Sequence, residues 1–120
     1  MHLLTINAGS ASLRMTAFRA ASQGLEHVAA DHSDAAGSDL AAAIEVFVNR
    51  YNLPTPQAVA HRLVHGGDQW VDPCIIDAQG ERALQRLVPL APLHMPRALA
   101  GMAASRKLFG ASSAQVAVFD

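Results

Sequence analysis

The first third of the chain consists of extended, largely apolar runs separated by short polar turns, a pattern typical of β-strands. Residues 3–7 and 13–19 form two such runs, and a short polar segment containing Gly9 separates them. Two extended runs joined by so short a segment predict a β-hairpin. A Ser-Gln-Gly sequence at 22–24 predicts a second turn, and residues 25–32 predict a third strand. The chain therefore begins with a predicted β-meander.

The hydrophobic period changes to that of a helix after a polar loop at 33–37. Five apolar residues then fall on one helical face. These residues are Leu40, Ile44, Phe47, Val48 and Tyr51. Ser38 is the predicted N-cap, with Asp39 favourably close to the helix N-terminus, and Asn52 and Pro54 end the helix.

Strands and helices alternate in the rest of the chain. The predicted elements are a strand at 58–64, a short strand at 74–76, a short helix capped by Asp77, a helix from Pro96 and a core strand at 116–119. Three prolines within 88–96 predict a rigid, extended connection. The residues assigned to the core are Met15, Met95, Leu99, Met102, Ala103 and Phe109. A meander followed by alternation predicts an α/β domain with a mixed sheet.

Composition narrows the function classes. The 120 residues are 51% hydrophobic and 16% charged, with a formal net charge of −1, which predicts one globular domain. Without a cluster of Lys and Arg we expect no nucleic-acid partner, and without a long apolar run we expect no membrane span. A single cysteine and no apparent signal peptide predict the cytoplasm. The strand pattern that ends directly at Asp120 predicts a fragment of a longer protein.

The hairpin segment carries the first candidate chemistry. Asn7, Ser10 and Ser12 offer neutral hydrogen-bonding groups, and Gly9 permits a close approach of the backbone to a ligand. An anion such as phosphate suits that concavity, although an ordinary surface hairpin would have the same residues.

A second candidate is Arg62, which stands between His61 and His65 in an apolar strand that runs into Gly66-Gly67. A buried arginine needs an anionic partner, which is either a structural Asp or a bound phosphate. The two histidines are four residues apart, a zinc spacing on a helix but not on a strand, and core or supporting roles fit them better. Asp120, at the carboxyl end of a strand, is placed to hold Mg²⁺, or else to cap a helix or lie in a loop.

Three stretches together resemble the acetate kinase (acetokinase) family. They are Ile-Asn-Ala-Gly-Ser-Ala-Ser-Leu-Arg at 6–14, Ala-His-Arg-Leu-Val-His-Gly-Gly at 60–67, and Leu-Ala-Pro-Leu-His-Met-Pro at 90–96, with Val-Ala-Val-Phe-Asp at 116–120 behind them. Their order and spacing fit the N-terminal domain of the family, and the resemblance covers the whole chain.

The resemblance implies a ribonuclease-H-like fold, as in the superfamily of acetate kinase, hexokinase, Hsp70 and actin. Residues 1–120 would be the acyl-binding N-terminal domain, and the nucleotide-binding C-terminal domain is absent from this sequence. The full enzyme would be a homodimer that transfers phosphate reversibly between ATP and acetate, using Mg²⁺ (or Mn²⁺). The chain alone would be inactive; the alternative is a non-catalytic binding or regulatory module of the same superfamily.

The resemblance also implies a role for each matched residue. Arg62 would clamp acetate or the phosphoryl group, Asp120 would be the catalytic acid nearest the metal, and Asn7 would lie near both metal and phosphoryl group. Val64 and Leu93 would line the pocket for the acetate methyl group, and His94 would belong to the wall of the site. Ser10 and Ser12 would belong to the phosphate-facing hairpin.

The chain departs from the family pattern at five positions. Compared with the usual family residues, it has Ala11 for Ser, Arg14 for Lys, Leu63 for Val or Ile, Asp68 for Glu and Met95 for Asn. Asn before Pro would cap the last helix and Met cannot, a loss that typically costs about 1 kcal/mol. These changes leave the acyl preference open between acetate and propionate.

Overall fold

A computed structural model describes residues 1–9, 12–33, 39–63, 72–90, 92 and 95–119. The strands are β1 (His2–Ala8), β2 (Leu13–Ala21), β3 (Gly24–Ser33), β4 (Ala58–Leu63), β5 (Cys74–Ile75) and β6 (Ala114–Phe119). The helices are α1 (Leu40–Arg50), α2 (Ala78–Gln85) and α3 (Met95–Phe109). None of the helices in the described ranges has the length and apolar character that a membrane crossing needs.

All six strands belong to one mixed sheet in the order β3-β2-β1-β4-β6-β5. The meander β1-β2-β3 is antiparallel, whereas β4 pairs in parallel with both β1 and β6. The predicted meander and the predicted α/β domain with a mixed sheet are therefore confirmed. Parallel β1, β4 and β6 bring three strand carboxyl ends to one edge of the sheet, the usual location of ligand sites in such folds.

The first helix corrects two predictions. Its N-cap is Asp39, whose carboxylate accepts hydrogen bonds from the Ala41 and Ala42 amides at 3.0 and 3.3 Å. Ser38, the predicted cap, lies outside the described residues. Tyr51 was predicted on the buried face but follows the helix and is 41% exposed, because Asn52 turns the chain away with a positive φ of 52°.

Two further predictions fail around the last helix. The connection predicted as extended contains a 3₁₀ turn at Val88–Leu90, which proline tolerates because its fixed φ matches that geometry. Ala103 is exposed, since it points away from the sheet while Leu99 and Met102 are buried. Met95 is fully buried at the first turn of α3, so the residue that cannot cap the helix packs in the core instead.

The helices cover one face of the sheet. Leu4, Ile6 and Ala8 of β1 pack with α1, and Leu63 and Ala117 of the parallel strands pack with α2 and α3. α3 lies against β1 at Gly101, where a Cβ would be in ordinary van der Waals contact with Ile6 Cγ2 at 3.7 Å. Side chains at alternate strand positions therefore point to the opposite face.

Candidate active site

The opposite face carries the polar residues that the sequence singled out. Ile6 and His61 are partners in the parallel register of β1 and β4 and both are buried. The residues that follow them, Asn7 and Arg62, therefore project to the other side of the sheet. Arg14 is the antiparallel partner of Asn7 on β2. Asn7 thus lies between two arginines at the carboxyl ends of β1 and β4.

These residues line a cleft of about 290 Å³. Its described lining consists of Asn7, Ala8, Gly9, Ser12, Arg14, Arg62 and Ala98. Within the described ranges, this lining includes two guanidinium groups and no carboxylate. Such a cleft attracts anions, and guanidinium matches the oxygen geometry of phosphate and carboxylate groups.

The hairpin that closes the cleft is held by two backbone contacts. The Gly9 amide donates to the Ser12 carbonyl at 2.9 Å, and Arg97 Nε of α3 donates to the Gly9 carbonyl at 2.6 Å. A Cβ at position 9 would lie 3.1 Å from Ser12 Oγ. Glycine therefore leaves room for the Ser12 hydroxyl, and the close approach of a ligand at Gly9 stays a prediction.

Arg62 lies on a strand, as predicted, but it is not buried there. Its side chain is exposed on the cleft face, so the argument from a buried, unpaired charge was wrong. What recommends it as a ligand-binding residue is its position beside Asn7. Arg14 was treated only as a conservative replacement for lysine, and its place in the cleft was missed. The near-symmetric spacing of residues 7 and 14 about the hairpin turn was the signal that could have found it.

His61 belongs to the core, as predicted. It is 1% exposed, and its Nε2 lies 2.7 Å from Gln115 Oε1. Burial lowers the pKa of His61 to about 4, an effect that the Gln115 hydrogen bond opposes and the nearby Arg106 charge reinforces. The imidazole is thus neutral at pH 7. His65 lies outside the described residues.

Five predicted site residues also lie outside the described residues. They are Ser10, Val64, Leu93, His94 and Asp120. Leu63 precedes Val64 and Phe119 precedes Asp120. Both preceding residues are described, and they are register partners on β4 and β6. Among the described residues no three His, Cys, Asp or Glu side chains are grouped so that they could hold a metal ion.

Solved structures with the same chain path identify the class of fold. The acetate kinase of Porphyromonas gingivalis superposes with a TM-score of 0.83 at 24% identity, covering 99% of this chain and 37% of that one. A propionate kinase from Francisella tularensis subsp. tularensis gives 0.76 at 23% identity, over 99% and 36% of the two chains. The fold is the predicted ribonuclease-H-like α/β fold.

The family follows from the sequence itself. The model of the acetokinase family matches residues 3–120, so the chain belongs to this family. An acetate kinase of Clostridium novyi is 33% identical over 148 aligned positions, which cover all of this chain and 37% of the relative. One from Arthrobacter sp. is 44% identical over 90 residues, 75% of this chain and 22% of the relative. The chain thus spans little more than a third of these relatives at most.

Proposed function

We propose that this chain supplies the acyl- and phosphoryl-facing wall of an enzyme that transfers phosphate reversibly from ATP to acetate. Another short-chain carboxylate such as propionate would serve the same site, and the products are an acyl phosphate and ADP. The observation that carries the proposal is the cleft in which Arg62 and Arg14 flank Asn7 at the carboxyl ends of two parallel strands. Membership of the acetokinase family supports the same reaction.

The composition of the cleft suits this chemistry. A carboxylate substrate is ionised at neutral pH and is already a nucleophile, so the reaction requires no general base. It requires neutralisation of the charge on the phosphoryl oxygens and alignment of the two reactants. Arg62 can bind carboxylate or phosphoryl oxygens through two parallel hydrogen bonds. Arg14 adds a second positive charge, and Asn7 and Ser12 orient the group without changing its charge.

The predicted metal fits this proposal only through Asp120. Magnesium prefers oxygen ligands, mostly carboxylates and phosphate oxygens, and Asn7 can offer one amide oxygen. Asp120 and Asn7 would hold Mg²⁺ (or Mn²⁺), which when bound neutralises charge on the phosphate groups of ATP. Val64 and Leu93 remain the predicted methyl pocket, and His94 and Ser10 the predicted outer wall and hairpin contact.

The organisation of the whole protein is part of the proposal. Residues 1–120 would act as its N-terminal acyl-binding domain, and a nucleotide-binding C-terminal domain would supply the opposite wall and bind ATP. A homodimer, a cytoplasmic location and the absence of nucleic-acid and membrane partners stay predictions. Because one wall cannot align ATP with acetate, we expect the 120-residue chain alone to make no acetyl phosphate from them.

The decisive test is Arg62→Ala in a whole enzyme. This chain would replace the matching segment of the Clostridium novyi acetate kinase, and acetyl phosphate formation would be measured. Losing an arginine that neutralises transition-state charge should lower turnover by a factor on the order of 10³. Arg19→Ala is the matched control, since Arg19 on β2 makes an exposed ion pair with Glu26 on β3 and does not line the cleft.

The 120-residue chain provides a second, independent arm. Acetyl phosphate would be titrated into it by NMR, and Arg62→Ala should weaken the binding at least tenfold. Near-normal turnover of the Arg62→Ala chimera would reject Arg62 as the clamp. An intact chain that binds neither acetate nor acetyl phosphate would reject the proposal and favour a non-catalytic module.

A further inference from the structure

Arg97 has no part in the proposed reaction so far, yet it contacts the hairpin that closes the cleft. It lies in the first turn of α3, is half-buried, and donates from Nε to the Gly9 carbonyl at 2.6 Å. The two residues are 88 positions apart in the chain. A hydrogen bond from a charged donor is shorter and stronger than one between neutral groups. The hairpin wall of the cleft is therefore anchored to α3.

The anchor is rigid because α3 is fixed in the core. Leu99 and Met102 on the same helix are fully buried, and Gly101 lies against β1 near Ile6. Ala98, the residue after Arg97, lines the cleft itself. The Gly9 carbonyl is thus bonded to a helix, α3, that cannot shift without disturbing the core.

Gly9 in turn constrains the position of Ser12. The Gly9 amide bonds the Ser12 carbonyl at 2.9 Å, and the Ser12 hydroxyl lies 3.1 Å from the place that a Gly9 Cβ would occupy. Movement of Gly9 would therefore move the Ser12 hydroxyl, one of the neutral donors of the cleft. We propose that Arg97 is a positioning residue: by holding the Gly9 carbonyl on α3, it sets the hairpin geometry in which Ser12 meets the phosphoryl group.

This inference rests on the proposed function for its ligand, but the effect of Arg97 on the hairpin can be measured without any ligand. In the 120-residue chain, amide hydrogen exchange at Gly9 would report the hairpin, and an acetyl phosphate titration would report the site. Arg97→Ala should speed Gly9 exchange and weaken acetyl phosphate binding, each by about tenfold, the scale of one lost charge-assisted hydrogen bond. Amides of α1, such as that of Ile44, should exchange as in the parent chain and so show that the fold is intact.

Arg97→Lys separates positioning from charge, since lysine keeps the charge but lacks the planar donor group. Positioning requires affinity to follow Gly9 protection across the parent, Arg97→Lys and Arg97→Ala. Arg50→Ala, which removes the ion pair between Arg50 of α1 and Asp31 of β3, is the matched control and should change neither Gly9 exchange nor affinity.

Three results would overturn the inference. Affinity restored by lysine without Gly9 protection would assign the effect to charge alone. Faster Gly9 exchange with unchanged affinity would make Arg97 a structural tie only, and no change in either reading would remove its role altogether. Failure of the proposed function looks different, because the parent chain would then not bind acetyl phosphate although Arg97→Ala still altered Gly9 exchange.

Discussion

The two faces of the sheet differ most clearly at neighbouring residues of the same strands. Ile6 and His61 are partners on the helix-covered face, where both are at most 2% exposed. Asn7 and Arg62 come next in sequence, project to the other face and line the cleft at the carboxyl ends of the strands. One step along each strand therefore separates a residue that holds the fold together from one that is available to a ligand.

The comparison teaches where this fold can carry charge. On the covered face even an ionisable residue is kept neutral, since burial lowers the pKa of His61 to about 4. On the cleft face, two arginines stand on either side of Asn7 without that desolvation cost, because Arg14 and Arg62 are exposed. Stability and binding should consequently respond to different substitutions, even at adjacent positions.

The largest expected effect comes from substituting the adjacent residues 6 and 7. Ile6→Ala removes a buried side chain from the core and should lower the free energy of unfolding by roughly 2–5 kcal/mol. Asn7→Ala should change it by only about 0.5 kcal/mol and instead weaken acetyl phosphate binding by about tenfold. Urea denaturation and an NMR titration of the 120-residue chain measure the two quantities. Equal losses of stability in the two variants would contradict the division between the faces.

The next largest expected effect is a pH dependence of the free energy of unfolding, and it tests the covered face. The unfolded chain has a histidine of ordinary pKa, 6.5, at position 61, whereas the folded chain has one of about 4. Between these values the unfolded state binds more protons, so the free energy of unfolding falls as the pH is lowered from 6.5 to 4. The contribution of His61 to this loss should reach about 3 kcal/mol near pH 4. Denaturant unfolding at several pH values measures it.

His61→Gln should flatten the pH dependence in that window. NMR of the parent chain provides a direct check that does not depend on the variant folding. The His61 ring resonances should show no titration between pH 7 and pH 5. A midpoint near 6.5 would place His61 in contact with water and would remove the contrast between the two faces.

Most of the fold could be predicted because it follows from local pattern. Extended runs between turn residues predicted β1, β2 and β3, and the helical spacing of Leu40, Ile44 and Phe47 predicted α1. The errors at α1 occurred where two neighbouring residues could satisfy the same local rule. At the start of α1 Ser38 and Asp39 are both good caps, and at its end Tyr51 fits the periodicity but follows the turn that ends the helix.

The site was less predictable because it depends on partners far apart in sequence. Arg62 was found from its unusual surroundings, yet its exposure depends on the register with β1, which no local pattern reveals. The contact between Arg97 and Gly9 spans 88 positions and could only come from the packing of α3 on the sheet. Arg14 was within reach, since its pairing with Asn7 follows from the hairpin alone.

The smallest expected effect concerns the N-cap of α1, the helix that packs on the covered face. Asp39→Ala removes the acceptor for the Ala41 and Ala42 amides and should lower the free energy of unfolding by about 1 kcal/mol. The acetyl phosphate affinity should not change, because α1 packs on the covered face and Asp39 does not line the cleft. Denaturant unfolding of Asp39→Ala and Ser38→Ala at pH 7 compares the two candidate caps. A larger loss for Ser38→Ala would return the cap to the residue that the sequence first indicated, and a loss of affinity in Asp39→Ala would mean that α1 communicates with the cleft.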